Sequence, residues 1–306
     1  MAKGRRKGKG LSTGWLLLIG LVIGVAAVIV FLNYRKTDVA PRLDLPVTIP
    51  VPPPDAHSVI PAPLPRPVPP AAVVPAPDTR IVKPSSLPML AIVIDDMGQD
   101  LHKLDELFKV GVPITVAVLP HLQYSADTAS KAHSRGWEVI LHLPMEPKGS
   151  DEHDPGKGAL WTVMTPAEVR GQLDGDINDV PYVIGMNNHM GSKFTEDGPL
   201  MREVLAVAKK KKLFFLDSRT SSKSVVMSIA RDMGVASADR DVFLDNDKDV
   251  ASIKKRIREA VALARRNGSA IAIGHPYPET IKALQEAIPG ISGSEITVVR
   301  LSELVK

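Results

Sequence analysis

Residues 89–98 read Met-Leu-Ala-Ile-Val-Ile-Asp-Asp-Met-Gly. Six apolar residues run without a polar break and close on two adjacent carboxylates, the pattern of a short buried strand ending in a polar turn. Working outward, the same pattern recurs at 114–119, 137–141, 183–186, 213–216, 242–244, 270–273 and 296–299. Amphipathic stretches near 101–109, 124–135, 165–177, 199–211, 222–233, 249–267 and 278–287 separate these runs. Thr165-Pro166-Ala167-Glu168 is a capping box with proline at the first helical position. Seven or eight β/α units of this kind imply a parallel sheet covered by helices. No glycine-rich phosphate loop follows any run, so the expectation is a closed or nearly closed α/β barrel of seven to eight strands over 89–306.

The 306 residues include 27 prolines and no cysteine. The missing cysteines exclude a disulfide scaffold, a thiol nucleophile and thiolate-ligated metal, leaving His, Asp and Glu as strong side-chain ligands. The net charge of +4 is unevenly placed. Residues 1–36 carry seven Lys/Arg and no acid, whereas 89–306 hold 27 bases against 30 acids. A mildly acidic domain lacks the clustered cations that phosphate backbones require, which argues against a nucleic-acid partner.

Trp15 to Leu32 is an 18-residue stretch without a charge. At about 1.5 Å per residue it nearly spans a hydrocarbon core of roughly 30 Å. A cleaved signal peptide is the alternative, but no clean small-residue cleavage site precedes Arg35 and Lys36. Five basic residues in the tail 1–14 precede the span and two follow it, which holds the N-terminus in the cytoplasm. The expectation is a single-pass signal anchor at 15–32 in the inner membrane, with the remainder in the periplasm or outside. Residues 33–88 form a Pro-rich linker, 16 of the prolines falling in 41–88. Proline removes amide donors and favours extended polyproline II, about 3.1 Å per residue, so this linker is a spacer on the order of 150 Å at full stretch.

Polar residues gather at the ends of the apolar runs. Asp95-Asp96 closes the first and His142-Leu-Pro-Met-Glu146-Pro147 follows the third. Asn187-Asn188-His189-Met190-Gly191-Ser192 follows the fourth, Asp217-Ser218-Arg219 ends the fifth, and Gly274-His275-Pro276 follows the seventh. In β/α barrels the C-terminal strand ends carry the chemistry. Any one of these is ordinary alone: Asp217 suits a turn or helix cap, and an isolated His is more often structural. Two adjacent carboxylates, however, repel unless a cation or donor offsets them. The convergence points to a metal or hydrolytic site. Asp245-Asn246-Asp247 resembles a fragment of a Ca²⁺ loop without its glycine and distal Glu, and reads as structural. His102, His121, His133 and His153 show no evident partners and read the same way.

Over about 89–301 the chain resembles the divergent polysaccharide deacetylases, distant relatives of the metal-dependent deacetylases of carbohydrate esterase family four. The phrases Ile94-Asp-Asp-Met-Gly98, His142-Leu-Pro-Met-Glu-Pro147, Asn187-Asn-His-Met-Gly-Ser192 and Ile273-Gly-His-Pro276 carry the resemblance. It implies a distorted (β/α) barrel with Asp95 as base and Asp96 as metal ligand. His142 becomes a second ligand, and Glu146 stands where the parent family has another histidine. His189 is the candidate for the missing imidazole, and His275 for the general acid. Asp217 and Arg219 fall loosely where the parents place residues that orient acid and base. Asn188, Ser192 and Pro276, within the same phrases, are candidates for substrate contact. The implied cofactor is a divalent metal ion, zinc first among them, and the implied substrate an N-acetylated envelope polysaccharide such as peptidoglycan.

The implied reaction is hydrolysis of an N-acetyl amide, with the metal acidifying a water. A glycosidase would also use two carboxyls, but the surrounding histidines argue against one. Two further readings stay open. One is a degenerate barrel that binds a glycan or envelope protein, favoured by Glu146 in a ligand position. The other is a metal hydrolase with a different leaving group, since fold and site do not determine it.

Overall fold

A computed structural model describes residues 87–306. The expected tail 1–14, anchor 15–32 and almost all of the linker 33–88 lie outside the described residues. Among the described residues no helix is long and apolar enough to cross a membrane.

Strands and helices alternate along the chain. In order they are β1 (Met89–Met97), α1 (Leu101–Phe108), β2 (Thr115–Val118), α2 (Ser125–Ser134), β3 (Val139–Met145), α3 (Pro166–Asp179), β4 (Val183–Met190) and α4 (Gly198–Lys211). Then follow β5 (Phe214–Asp217), α5 (Val226–Met233), β6 (Ser237–Asp239), β7 (Val242–Phe243), α6 (Val250–Asn267), β8 (Ser269–Gly274), α7 (Pro278–Ile291) and β9 (Thr297–Val299). The strand order is β6-β5-β4-β3-β2-β1-β8-β7, with every ladder parallel. Only Arg240 and Asp241 separate β6 from β7. Arg240 N donates to Asp217 O on β5, and Asp241 N donates to Ile271 O on β8. One extended segment therefore joins the two edges of the sheet and makes it a (β/α) barrel. Strand β9 pairs with Met89–Ala91 of β1 on the side where β2 takes Val93–Met97.

The apolar runs are unbroken because both faces of each strand are buried. Leu90, Ile92 and Ile94 point outward into the layer under the helices, while Ala91 and Val93 point into the barrel beside Ala117, Ile140, Leu216 and Ile273. Leu301 and Leu304 close the N-terminal end of the barrel. The capping box at Thr165 is present, its hydroxyl and Glu168 bonding reciprocally.

Four boundaries differ from expectation. Strands β3 and β4 run on to Met145 and Met190, so His142 and Asn187–His189 lie within strands rather than after them. Helix α5 starts at Val226 instead of 222, because the hydroxyls of Ser221 and Ser224 accept the Lys223 and Val226 amides and favour turns. Helix α7 continues through Pro289 to Ile291. Strand β6, Ser-Ala-Asp, carries no β-branched or aromatic residue and gave no sequence signal.

Candidate metal centre

Alternation along a strand would send Asp95 and Asp96 to opposite faces. A bulge prevents this. In the β1–β2 ladder Ile94 faces Val116 and Met97 faces Val118, so β1 holds one residue more than its partner. Ile94 and Met97 both pack outward under the helices. The two aspartates share the inward turn between them, with Asp96 in the left-handed region at φ 55°. On β3 and β4, His142 lies in register with Asn187 and Pro144 with His189, so His142, Asn187 and His189 all project inward.

Three ligand atoms converge there. His142 Nε2 lies 3.2 Å from Asp96 Oδ1, His189 Nδ1 lies 3.0 Å from the same oxygen, and the two nitrogens are 3.1 Å apart. This is the cluster of potential metal ligands found among the described residues. Asp96 Oδ1 is buried and receives no aligned hydrogen bond. Ligands held at about 2.0–2.1 Å from a tetrahedral zinc are roughly 3.3 Å apart, so the triangle fits a divalent cation. Three protein ligands with an open side are the pattern of catalytic rather than structural zinc. The other nitrogen of His142, Nδ1, faces Asn187 Oδ1 at 2.8 Å, which directs Nε2 to the cluster.

The surrounding charges are strongly coupled. Burial pushes the Asp96 carboxyl up, but the His142 and His189 imidazoles beside it more than reverse this and hold it well below the usual range. Burial pulls His142 down, yet the Asp95 and Asp96 carboxylates outweigh that and push it up to about 9. Without a cation, a proton on His142 balances the carboxylates. Asp95 is 3% exposed and is raised chiefly by burial. Its Oδ1 accepts from Asn187 Nδ2 at 2.9 Å, and its Oδ2 lies 3.7 Å from His142 Nε2. Opposite, His275 Nε2 approaches Asp96 Oδ2 at 3.7 Å. Burial lowers His275, and its bond to Asp245 with the nearby Asp96 and Asp95 charges raises it overall.

Asp245 and Asn187 are the functional candidates that sequence reasoning missed. Asp245 Oδ2 accepts the His275 amide at 2.6 Å and the Thr280 hydroxyl at 2.8 Å, while Oδ1 meets His275 Nδ1 at 3.0 Å. That places the Nδ1 proton toward Asp245 and leaves Nε2 facing the cluster. The available signal was position: Asp245 stands just beyond β7, the ladder neighbour of β8, whose end leads into His275.

Several expected site residues are elsewhere. Glu146 is not in the cluster. Its carboxylate accepts Lys193 Nζ at 2.7 Å and the Thr162 amide and hydroxyl at 2.7 and 2.6 Å, tying the loop before α3 to the turn after β4. Asp217 shares the outward parity of Phe215 and accepts the Arg219 amide and the Ser224 hydroxyl, an Asx turn of the ordinary kind. The Arg219 side chain reaches Asp239 instead. Asn188, outward between Asn187 and His189, is fully engaged with Ser218, Thr220 and Met190. Ser192 Oγ accepts the Lys148 amide, which fastens the same loop. Pro276 lines a cavity of about 340 Å³ together with Asp96, His275 and Tyr277. His121, expected to lack partners, bonds the buried Asp176 through Nε2 at 2.7 Å.

Comparison with known proteins agrees with this arrangement. The uncharacterized protein YibQ of Escherichia coli (strain K12) is 40% identical over 216 residues, covering 71% of this chain and 67% of that protein. An uncharacterized protein of Haemophilus influenzae (strain ATCC 51907 / DSM 11121 / KW20 / Rd) is 40% identical over 215 residues, 70% of this chain and 76% of its own length. The crystal structure of uncharacterized protein ATU2773 from Agrobacterium tumefaciens C58 shares the fold, with a TM-score of 0.69 at 24% identity over 72% of this chain and 91% of that one. The family model for divergent polysaccharide deacetylase matches residues 92–305, and the chain belongs to that family.

Proposed function

We propose that the protein is a metal-dependent deacetylase that hydrolyses N-acetyl groups on an envelope glycan such as peptidoglycan. The observation that carries this reading is the triangle of Asp96, His142 and His189, flanked by Asp95 on one side and His275 on the other. Asp96 Oδ1, His142 Nε2 and His189 Nδ1 hold the divalent ion. When bound, it supplies a water acidified toward neutral pH and polarises the acetyl carbonyl.

The chain's own residues do the rest. Asp95 Oδ2 accepts the water proton, while Asn187 holds its other oxygen and sets its direction. His275 Nε2 donates a proton to the departing amine nitrogen, its ring fixed by Asp245 through Nδ1. Acetate and a free amino sugar are the products. A degenerate binding module loses its main support, because His189 stands in the cluster where Glu146 does not. We also propose that residues 15–32 anchor the chain in the inner membrane, with the linker 33–88 presenting the barrel to the periplasm; the basic residues flanking the apolar stretch support this orientation.

The test is acetate release from N-acetylated peptidoglycan fragments before chelation, after it, and after zinc is restored. Release that stops and returns is expected, and His275→Ala should lower kcat by about 10²–10⁴-fold while keeping the metal. Metal-independent release, or none from the zinc-loaded protein, contradicts the reading.

A further inference from the structure

Two cavities meet at Lys103. The first, about 340 Å³, runs from Asp96 and His275 over Tyr277 to Lys103. The second, about 530 Å³, lies between α1 and α7 and is lined by Lys103, Ile281, Lys282 and Gln285 among others. Sharing one side chain, they form a furrow leading from the metal centre along the seam of the two helices.

The charges of this furrow are unequally compensated. Glu106 pairs with Lys109 at 2.5 Å and lies 3.6 Å from His102. Glu286 pairs with Lys254. Asp100, at the start of the furrow, caps α1 by accepting the His102 amide at 2.8 Å. Among the described residues neither Lys103 nor Lys282 makes an ion pair, and Lys248 rests over the Tyr277 ring at 3.8 Å without one. The domain as a whole has more acids than bases. Uncompensated cations beside its site therefore run against its net charge, as expected of a surface that draws anions to a cleft.

We propose that the glycan carries anionic groups, carboxylate or phosphate, and that Lys103 and Lys282 bind them as the polymer leaves the metal centre along this furrow. The inference rests on the deacetylase reading and adds the substrate's charge to it. The test uses the full chain loaded with zinc and three N-acetylated oligosaccharides of matched length: one neutral, one with a carboxylate on alternate sugars, one with phosphodiester links. Acetate release gives kcat and KM for each.

The expected result is a KM about 10-fold lower for an anionic oligosaccharide than for the neutral one, rising with added salt as exposed charges are screened. Which anionic polymer has the lower KM identifies the group recognised. Lys103→Gln and Lys282→Gln should each raise that KM about 3-fold with kcat little changed, whereas Lys210→Gln, at the far end of α4, should not. Equal KM for neutral and anionic substrates, or lysine variants without effect, overturns the inference and leaves the deacetylase standing. No acetate from any of the three overturns both.

Discussion

Asp96 sits at φ 55°, a conformation uncommon outside glycine, in which Asp is among the more tolerated residues. The strain is what lets two consecutive carboxylates face one centre. The adjacent pair was conspicuous in the sequence, but the bulge that makes it useful depends on the β2 register, which no local pattern reveals. Parity also explains the misplaced candidates, since Asp217 and Asn188 occupy the outward positions of their strands. Asp245 was hidden for another reason: its partner lies 30 residues away and meets it only through the β7–β8 pairing. A measurable consequence follows from that bond. His275 must be protonated to act as an acid, and Asp245 is the largest of the influences that raise its pKa. Asp245→Asn should therefore move the basic limb of the kcat/KM profile to lower pH. An unmoved limb would mean that Asp245 does not tune His275.

Among the elements, strand cores were the most legible, because burial on both faces writes a continuous apolar run. Their ends were not, since β3 and β4 continue through polar residues whose inward faces line the site. The loop from β3 to α3 depends on Glu146. Glu146→Ala leaves the Thr162 amide and Lys193 without their partner, which should cost about 1–3 kcal/mol in urea unfolding. The same joint region holds Asp176 on α3, whose carboxyl is buried and raised to about 6. Burial is the main cause, and its Oδ2 has no hydrogen-bond partner. Because the folded value exceeds the ordinary 3.8, this group's contribution to stability declines as pH rises from about 4 to 6 and then levels. Asp176→Asn should flatten that part of the stability profile. An unchanged slope between pH 4 and 6 would contradict the assignment.

Across the whole molecule, the division of charge and proline foreshadowed the organisation better than any total. A basic tail, an apolar stretch and a Pro-rich run precede a domain with slightly more acids than bases. The barrel was legible from the count of β/α units, although the segment that joins its edges, β6 and β7, was half missed. The family motifs brought Asp96, His142 and His189 into view, but Glu146 drew attention as a ligand only because it occupies a histidine's place in the motif. The central claim is that the third ligand comes from β4 and not from the end of β3. Metal content of the purified protein tests it directly, compared across Asp96→Ala, His142→Ala, His189→Ala and Glu146→Ala. The account predicts near-stoichiometric divalent metal in the parent protein and in Glu146→Ala, and its loss from the other three. Metal retained without His189 but lost without Glu146, or no metal in the parent even after reconstitution, would contradict it.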